Sequence, residues 1–140
     1  MKKEVKQELD KTLKQYNWEN IREIDEAGWI NISKYQILSE NFIREFKNKI
    51  NWYEVSFNQI LSENFIRKFK NKINWCGISY NQILSENFIR EFQYKVYWPA
   101  IPIYQKLSKN FIKEFQDELD LKTMLHYNKI SQEFYDELRE

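Results

Sequence analysis

A chain of 140 residues, 42% hydrophobic and 31% charged, is the size of one domain and long enough to bury a core. Its 22 Lys and Arg against 21 Asp and Glu leave a net charge of +1, which argues against a strongly basic nucleic-acid binder and an acidic nucleic-acid mimic. Two Gly and two Pro are too few for the turns of a large sheet, one Cys excludes an internal disulfide, and one His excludes a multi-histidine metal site.

From the N-terminus, Met1 to Glu8 is charged and has no apolar h-region, so it does not read as a secretory signal. No stretch approaches the roughly 18 apolar residues of a membrane span. The expectation is a soluble, cytoplasmic protein. Val5, Leu9, Leu13 and Tyr16 then recur at helical spacing, which predicts a capping helix over Lys2–Tyr16. Glu19–Ile24 is a faint copy of a repeat that fills the rest of the chain.

The repeat is tandem and keeps a fixed period. Trp29, Trp52, Trp75 and Trp98 stand 23 residues apart, and the block Gln-x-Leu-Ser-x-Asn-Phe-Ile-x-x-Phe begins at Gln36, Gln59, Gln82 and Gln105. Residues 36–52 and 59–75 differ only at Glu45 and Lys68. A degraded fifth copy keeps the phase at Asn128, Ile130, Ser131, Phe134 and Leu138. The organisation read from this is one helical-repeat domain over 1–140. Residues 1–28 are a cap and degenerate copy, 29–120 are four repeats, and 121–140 are a degenerate C-terminal repeat.

Within a copy, Ser39 predicts a helix N-cap, with Leu38 and Ile43 as its hydrophobic staple. Phe42, Ile43, Phe46 and Ile50 share one face, which predicts a helix from about Glu40 to Ile50. A shorter helix precedes it, with Ser33 as the expected cap. Pro99 and Pro102 fit at or before the start of that short helix in the fourth copy. Because 23 is not a multiple of seven, no heptad seam survives from copy to copy. The predicted fold is therefore all-α: a short α-solenoid of two-helix repeats with an N-terminal capping helix. Phe42, Phe65, Phe88 and Phe111 are its expected core ladder, Phe46, Phe69, Phe92 and Phe115 a second, and the tryptophans a third at the turns between copies.

The pattern Trp29-x-x-Ile32-Ser33-x-Tyr35-Gln36-x-Leu38-Ser39-Glu40-x-Phe42-Ile43-x-x-Phe46-x-x-Lys49-Ile50-x-Trp52 resembles short tandem repeats in proteins of large DNA viruses, phages and some bacteria. The resemblance spans about residues 29–138. It implies a helical repeat and a viral or mobile-element origin, with the host cytoplasm as location, but no defined activity. By analogy, small helical phage proteins are often host-defence antagonists such as anti-CRISPRs.

No catalytic chemistry is legible. There is no Gly-rich phosphate loop, no HExxH and no zinc spacing, so neither a metal nor a cofactor is expected and the chain reads as a non-enzyme. Cys76 has no local base, and His126 has no partner acid.

Two surfaces stand out instead. Ile37, Ile60 and Ile83 share one column, in which the fourth and fifth copies carry Lys106 and Lys129. A position that accepts lysine reads as exposed. Beside it runs the most variable column, which holds Phe57, Tyr80 and Ile103 between Lys34 and His126. Together these residues predict a partner-binding surface on a non-enzymatic protein-interaction module, which would bind and inhibit or redirect a host protein. The competing reading is that the isoleucines pack beneath capping segments. A second candidate is the ridge Arg44, Arg67, Arg90 and Lys113, which would track a nucleic-acid backbone unless the arginines pair with Glu40, Glu63 and Glu86 one turn away. A third is self-assembly of the repeat into a homo-oligomer.

Overall fold

A computed structural model describes residues 1–140 as eleven α-helices and one 3-10 turn, without strands. The helices are α1 (Lys3–Gln15), α2 (Glu26–Tyr35), α3 (Glu40–Glu45), α4 (Trp52–Asn58), α5 (Glu63–Lys68), α6 (Trp75–Asn81), α7 (Glu86–Glu91), α8 (Ile101–Tyr104), α9 (Lys109–Glu114), α10 (Leu121–His126) and α11 (Gln132–Leu138). They fall into two compact units, Met1–Asn74 and Trp75–Glu140. In the first, α1 packs on α3 and α2 on α4. In the second, α8 lies between α6 and α10, and α10 also meets α11. Each copy of the repeat is thus a helix pair, and pairs within a unit pack in chain order.

The second helix of every pair is set by its serine. Ser39, Ser62, Ser85, Ser108 and Ser131 sit in extended backbone, and each hydroxyl accepts from the N–H of the phenylalanine three residues on. That bond satisfies one of the four donors a helix start leaves open. The helices are shorter than the apolar spacing predicts. α3 ends at Glu45, and Phe46 leaves helical geometry at φ −105° and ψ 29°. The carbonyl of Phe46 then accepts from both Lys49 and Ile50 in a tight turn. The turn still brings Ile50 into the core, at 7% exposure.

What finishes the helix is the next tryptophan. The indole N–H of Trp52 donates to the carbonyl of Lys47 at 2.9 Å, and Trp98 does the same to Gln93 at 2.9 Å. The tryptophans are therefore not a ladder of turn residues. Trp29 lies inside α2, Trp52 and Trp75 open α4 and α6, and only Trp98 sits in a turn. Each packs at a tilt against the last phenylalanine of its own copy. The ring centroids of Trp29–Phe46, Trp52–Phe69, Trp75–Phe92 and Trp98–Phe115 are 5.5, 5.2, 5.0 and 5.2 Å apart. Phe42, Phe65, Phe88 and Phe111 complete these clusters and are fully buried.

Ser33 is also not a cap. Asp25 caps α2, its carboxylate accepting from Gly28 N–H at 2.8 Å, so α2 begins about two turns earlier than expected. Ser33 is buried within α2, donates to Trp29 carbonyl at 2.7 Å and accepts from Asn51 N–H at 2.9 Å. It fastens the start of α4 to α2. Ser79 repeats this role on Tyr97 N–H at 2.9 Å.

The ends are adapted. In α1, Val5, Leu9 and Thr12 are buried, and Glu8 reaches Ser39, where its carboxylate accepts from the N–H at 2.9 Å and the hydroxyl at 2.6 Å. The faint copy at Glu19–Ile24 supplies only the 3-10 turn Ile21–Glu23. Asn17 and Asn128 adopt left-handed backbone, at φ 60° and 58°, just after α1 and α10. Asparagine tolerates that geometry and stops a helix there.

Candidate partner-binding surface

The link between the two helices of a copy is extended, with Gln59 at φ −99° and ψ 153°. In extended backbone alternate residues face opposite ways. Gln59 and Leu61 are buried, and Ile60 between them points out. Gln82, Ile83 and Leu84 keep the same register, and Ile37 and Lys106 point out in theirs. Ile37, Ile60 and Ile83 are 98%, 91% and 95% exposed, so none packs beneath a capping segment. Lys106 and Lys129, in the same column, are also exposed.

In the first unit Ile37 and Ile60 form the lips of a groove of about 200 Å³ that Lys34, Tyr35 and Asn58 also line. Tyr35 is exposed, with the Lys34 ammonium 5.2 Å from its ring centre. The corresponding groove of the second unit, about 240 Å³, has Lys106 and Lys129 at the lips and Tyr104 beside them. The repeat thus builds one groove twice, apolar in the first unit and basic in the second.

The variable column is divided differently. Phe57 is half-buried and packs on Tyr53, ring centres 4.7 Å apart. Tyr80 and Ile103 line a separate cleft with Trp98 and Pro99. Tyr80 also contacts Tyr97 and Tyr104, at 6.0 and 5.0 Å. Partial burial, and then the neighbouring Tyr97, Cys76 and Tyr104, raise its phenol above the ordinary tyrosine range. His126 is exposed beside Tyr127.

The basic ridge is occupied from within. Arg44 donates to Asn41 at 2.8 Å, lies 3.6 Å from Glu40, and covers the Phe65 ring at 5.2 Å. Arg90 donates to Asn87 at 2.9 Å and to Glu114 at 2.7 Å, and covers Phe111 at 5.2 Å. Arg67 donates to Asn64 at 2.8 Å. Lys113 is exposed, 6.0 Å from the Phe134 ring centre.

Sequence reasoning missed the glutamines. Gln59 and Gln105 are buried and bind backbone of the preceding copy, so their presence at the head of the block in four copies was the available signal. It also missed Glu40 and Glu86, whose carboxylates take the N–H and hydroxyl of the next copy's Ser62 and Ser108.

No three or more His, Cys, Asp or Glu are grouped to hold a metal, and no helix is long and apolar enough to cross a membrane. No family model, curated protein or solved structure matches the chain.

Proposed function

We propose that this chain is a non-enzymatic protein-interaction module whose exposed isoleucines, Ile37, Ile60 and Ile83, contact a partner protein. The observation that carries the reading is their near-complete exposure, at 98%, 91% and 95%, in a link whose register offers no intramolecular cover. A large apolar side chain kept in water three times over in one repeat column is a cost that contact with a partner would remove. Phe57, Tyr80 and Ile103 add apolar area in the neighbouring column. The repeat's resemblance to viral and phage proteins makes the partner a host protein that the module inhibits or redirects, as an anti-CRISPR does.

The test is affinity capture from host lysate with nuclease added, comparing the chain with the Ile37→Lys, Ile60→Lys, Ile83→Lys variant. Lysine already stands in this column at Lys106 and Lys129, so the variant should fold. A stoichiometric protein retained by the chain and lost from the folded variant supports the reading. Equal capture by both sinks it.

A further inference from the structure

The cleft between Tyr80 and Thr123 in the second unit departs from the repeat in a particular way. Its volume is about 350 Å³. Tyr80, Trp98, Pro99 and Ile103 line it together with Glu118, Asp120 and Thr123. Lys49, Lys72 and Lys95 occupy the column of Glu118 in the other copies, and Asn51, Asn74 and Tyr97 that of Asp120. Only the fourth copy, whose end borders the cleft, reverses lysine to glutamate and places aspartate two residues on.

The structural need for these acids is small. Asp120 caps α10, accepting from Thr123 N–H at 3.0 Å and its hydroxyl at 2.8 Å. Asn51 does the same for α4 with its side-chain oxygen, on Glu54 N–H at 2.9 Å, so the cap does not require a charge. Glu118 is exposed and makes no ion pair. Of the aromatic lining, Trp98 is held by its indole bond to Gln93 and by Phe115, and Tyr80 by Tyr97 and Tyr104. Both rings thus have intramolecular supports that a ligand need not supply. Aromatic side chains and carboxylates that line one cleft of side-chain size complement a cation with an apolar stem.

We infer that this cleft binds a basic side chain of a polypeptide partner, its stem against Trp98, Pro99 and Ile103 and its charge toward Glu118 and Asp120. This site shares Tyr80 and Ile103 with the proposed partner surface but none of the exposed isoleucines, and it is tested without them. The full chain, labelled with nitrogen-15, is titrated with N-acetyl-arginine methylamide, with its lysine counterpart, and with the neutral citrulline counterpart. The arginine probe is expected to shift the signals of Tyr80, Trp98, Ile103 and Thr123 in the millimolar range, less at high salt, and citrulline is expected to leave them unmoved. Shifts from the lysine probe at the same residues also support the site.

Glu118→Lys with Asp120→Asn restores the residues of the first two copies. It should keep the fold and weaken arginine binding about tenfold, since three units of charge change at the cleft mouth. Equal shifts with citrulline, equal binding by the double variant, shifts centred on Ile37 and Ile60, or no shift with either cationic probe would overturn the assignment. None of these outcomes bears on the isoleucine reading, which the Ile-to-Lys capture tests by itself.

Discussion

A glutamine side chain carries one strong acceptor and two donors, and at Gln59 all are directed at the backbone of the preceding copy. Its oxygen accepts from Leu38 N–H at 2.9 Å, and its nitrogen donates to the carbonyls of Ser33 and Gln36 at 2.8 and 2.6 Å. Gln105 repeats the set on Leu84, Ser79 and Gln82. These groups lie where α2 and α6 end and the extended link begins, so without the glutamine they would be buried unpaired. Gln59 is 3% exposed, which keeps water from replacing it. Gln59→Ala should therefore cost about 2–4 kcal/mol, several-fold more than a neutral hydrogen bond contributes on average. Urea melts of the two proteins measure this; a loss below about 1 kcal/mol would mean that water enters the site. At this scale the sequence marked the position without revealing its role. A glutamine among apolar residues reads as solvated, and its partners are fixed only once two copies are docked.

The starts of the second helices were legible because they are local, whereas that of α2, capped by Asp25 and not by Ser33, was not. A serine hydroxyl reaches the third N–H after it whatever the tertiary packing, and all five serines of the column do so. Helix ends were not, because the carbonyls of Lys47 and Gln93 are satisfied by an indole five residues ahead. The apolar phase of Phe42, Phe46 and Ile50 fits both a helix and a helix closed by a turn, so spacing alone does not separate them. The cap of α10 brings a pH dependence. The two hydrogen bonds from Thr123 hold the exposed Asp120 carboxyl below its ordinary range, outweighing a smaller local desolvation that acts the other way. A carboxyl whose pKa is lower in the folded state adds stability above its unfolded value and loses it as pH falls through the folded one. Wild type should thus lose stability below about pH 4 more steeply than Asp120→Asn, whose cap does not titrate. Parallel urea melts at pH 7 and pH 3 check this; equal losses would show that the cap bonds survive protonation.

For the whole molecule, the 23-residue period is visible in the sequence and reappears as helix pairs, but the division after Asn74 is not visible, because the copies on either side of it are nearly identical. The period also hides a contrast between two isoleucines of one copy. Ile60 is 91% exposed and Ile66 fully buried, six residues apart, although isoleucine fills the first column in three copies and the second in four. The helical phase with Phe42 and Phe46 put the Ile66 column in the core, and the lysines at 106 and 129 marked the Ile60 column as exposed. Ile60→Lys should change stability by less than about 0.5 kcal/mol, since the side chain meets water both folded and unfolded. Ile66→Lys puts an ammonium among buried apolar side chains and should cost upward of about 4 kcal/mol, or abolish folding. Thermal melts of the two variants read the difference directly. A large loss at Ile60 would make that residue a packing element and remove the exposed column on which the interaction surface depends. A small loss leaves an isoleucine that contributes nothing measurable to the fold that displays it.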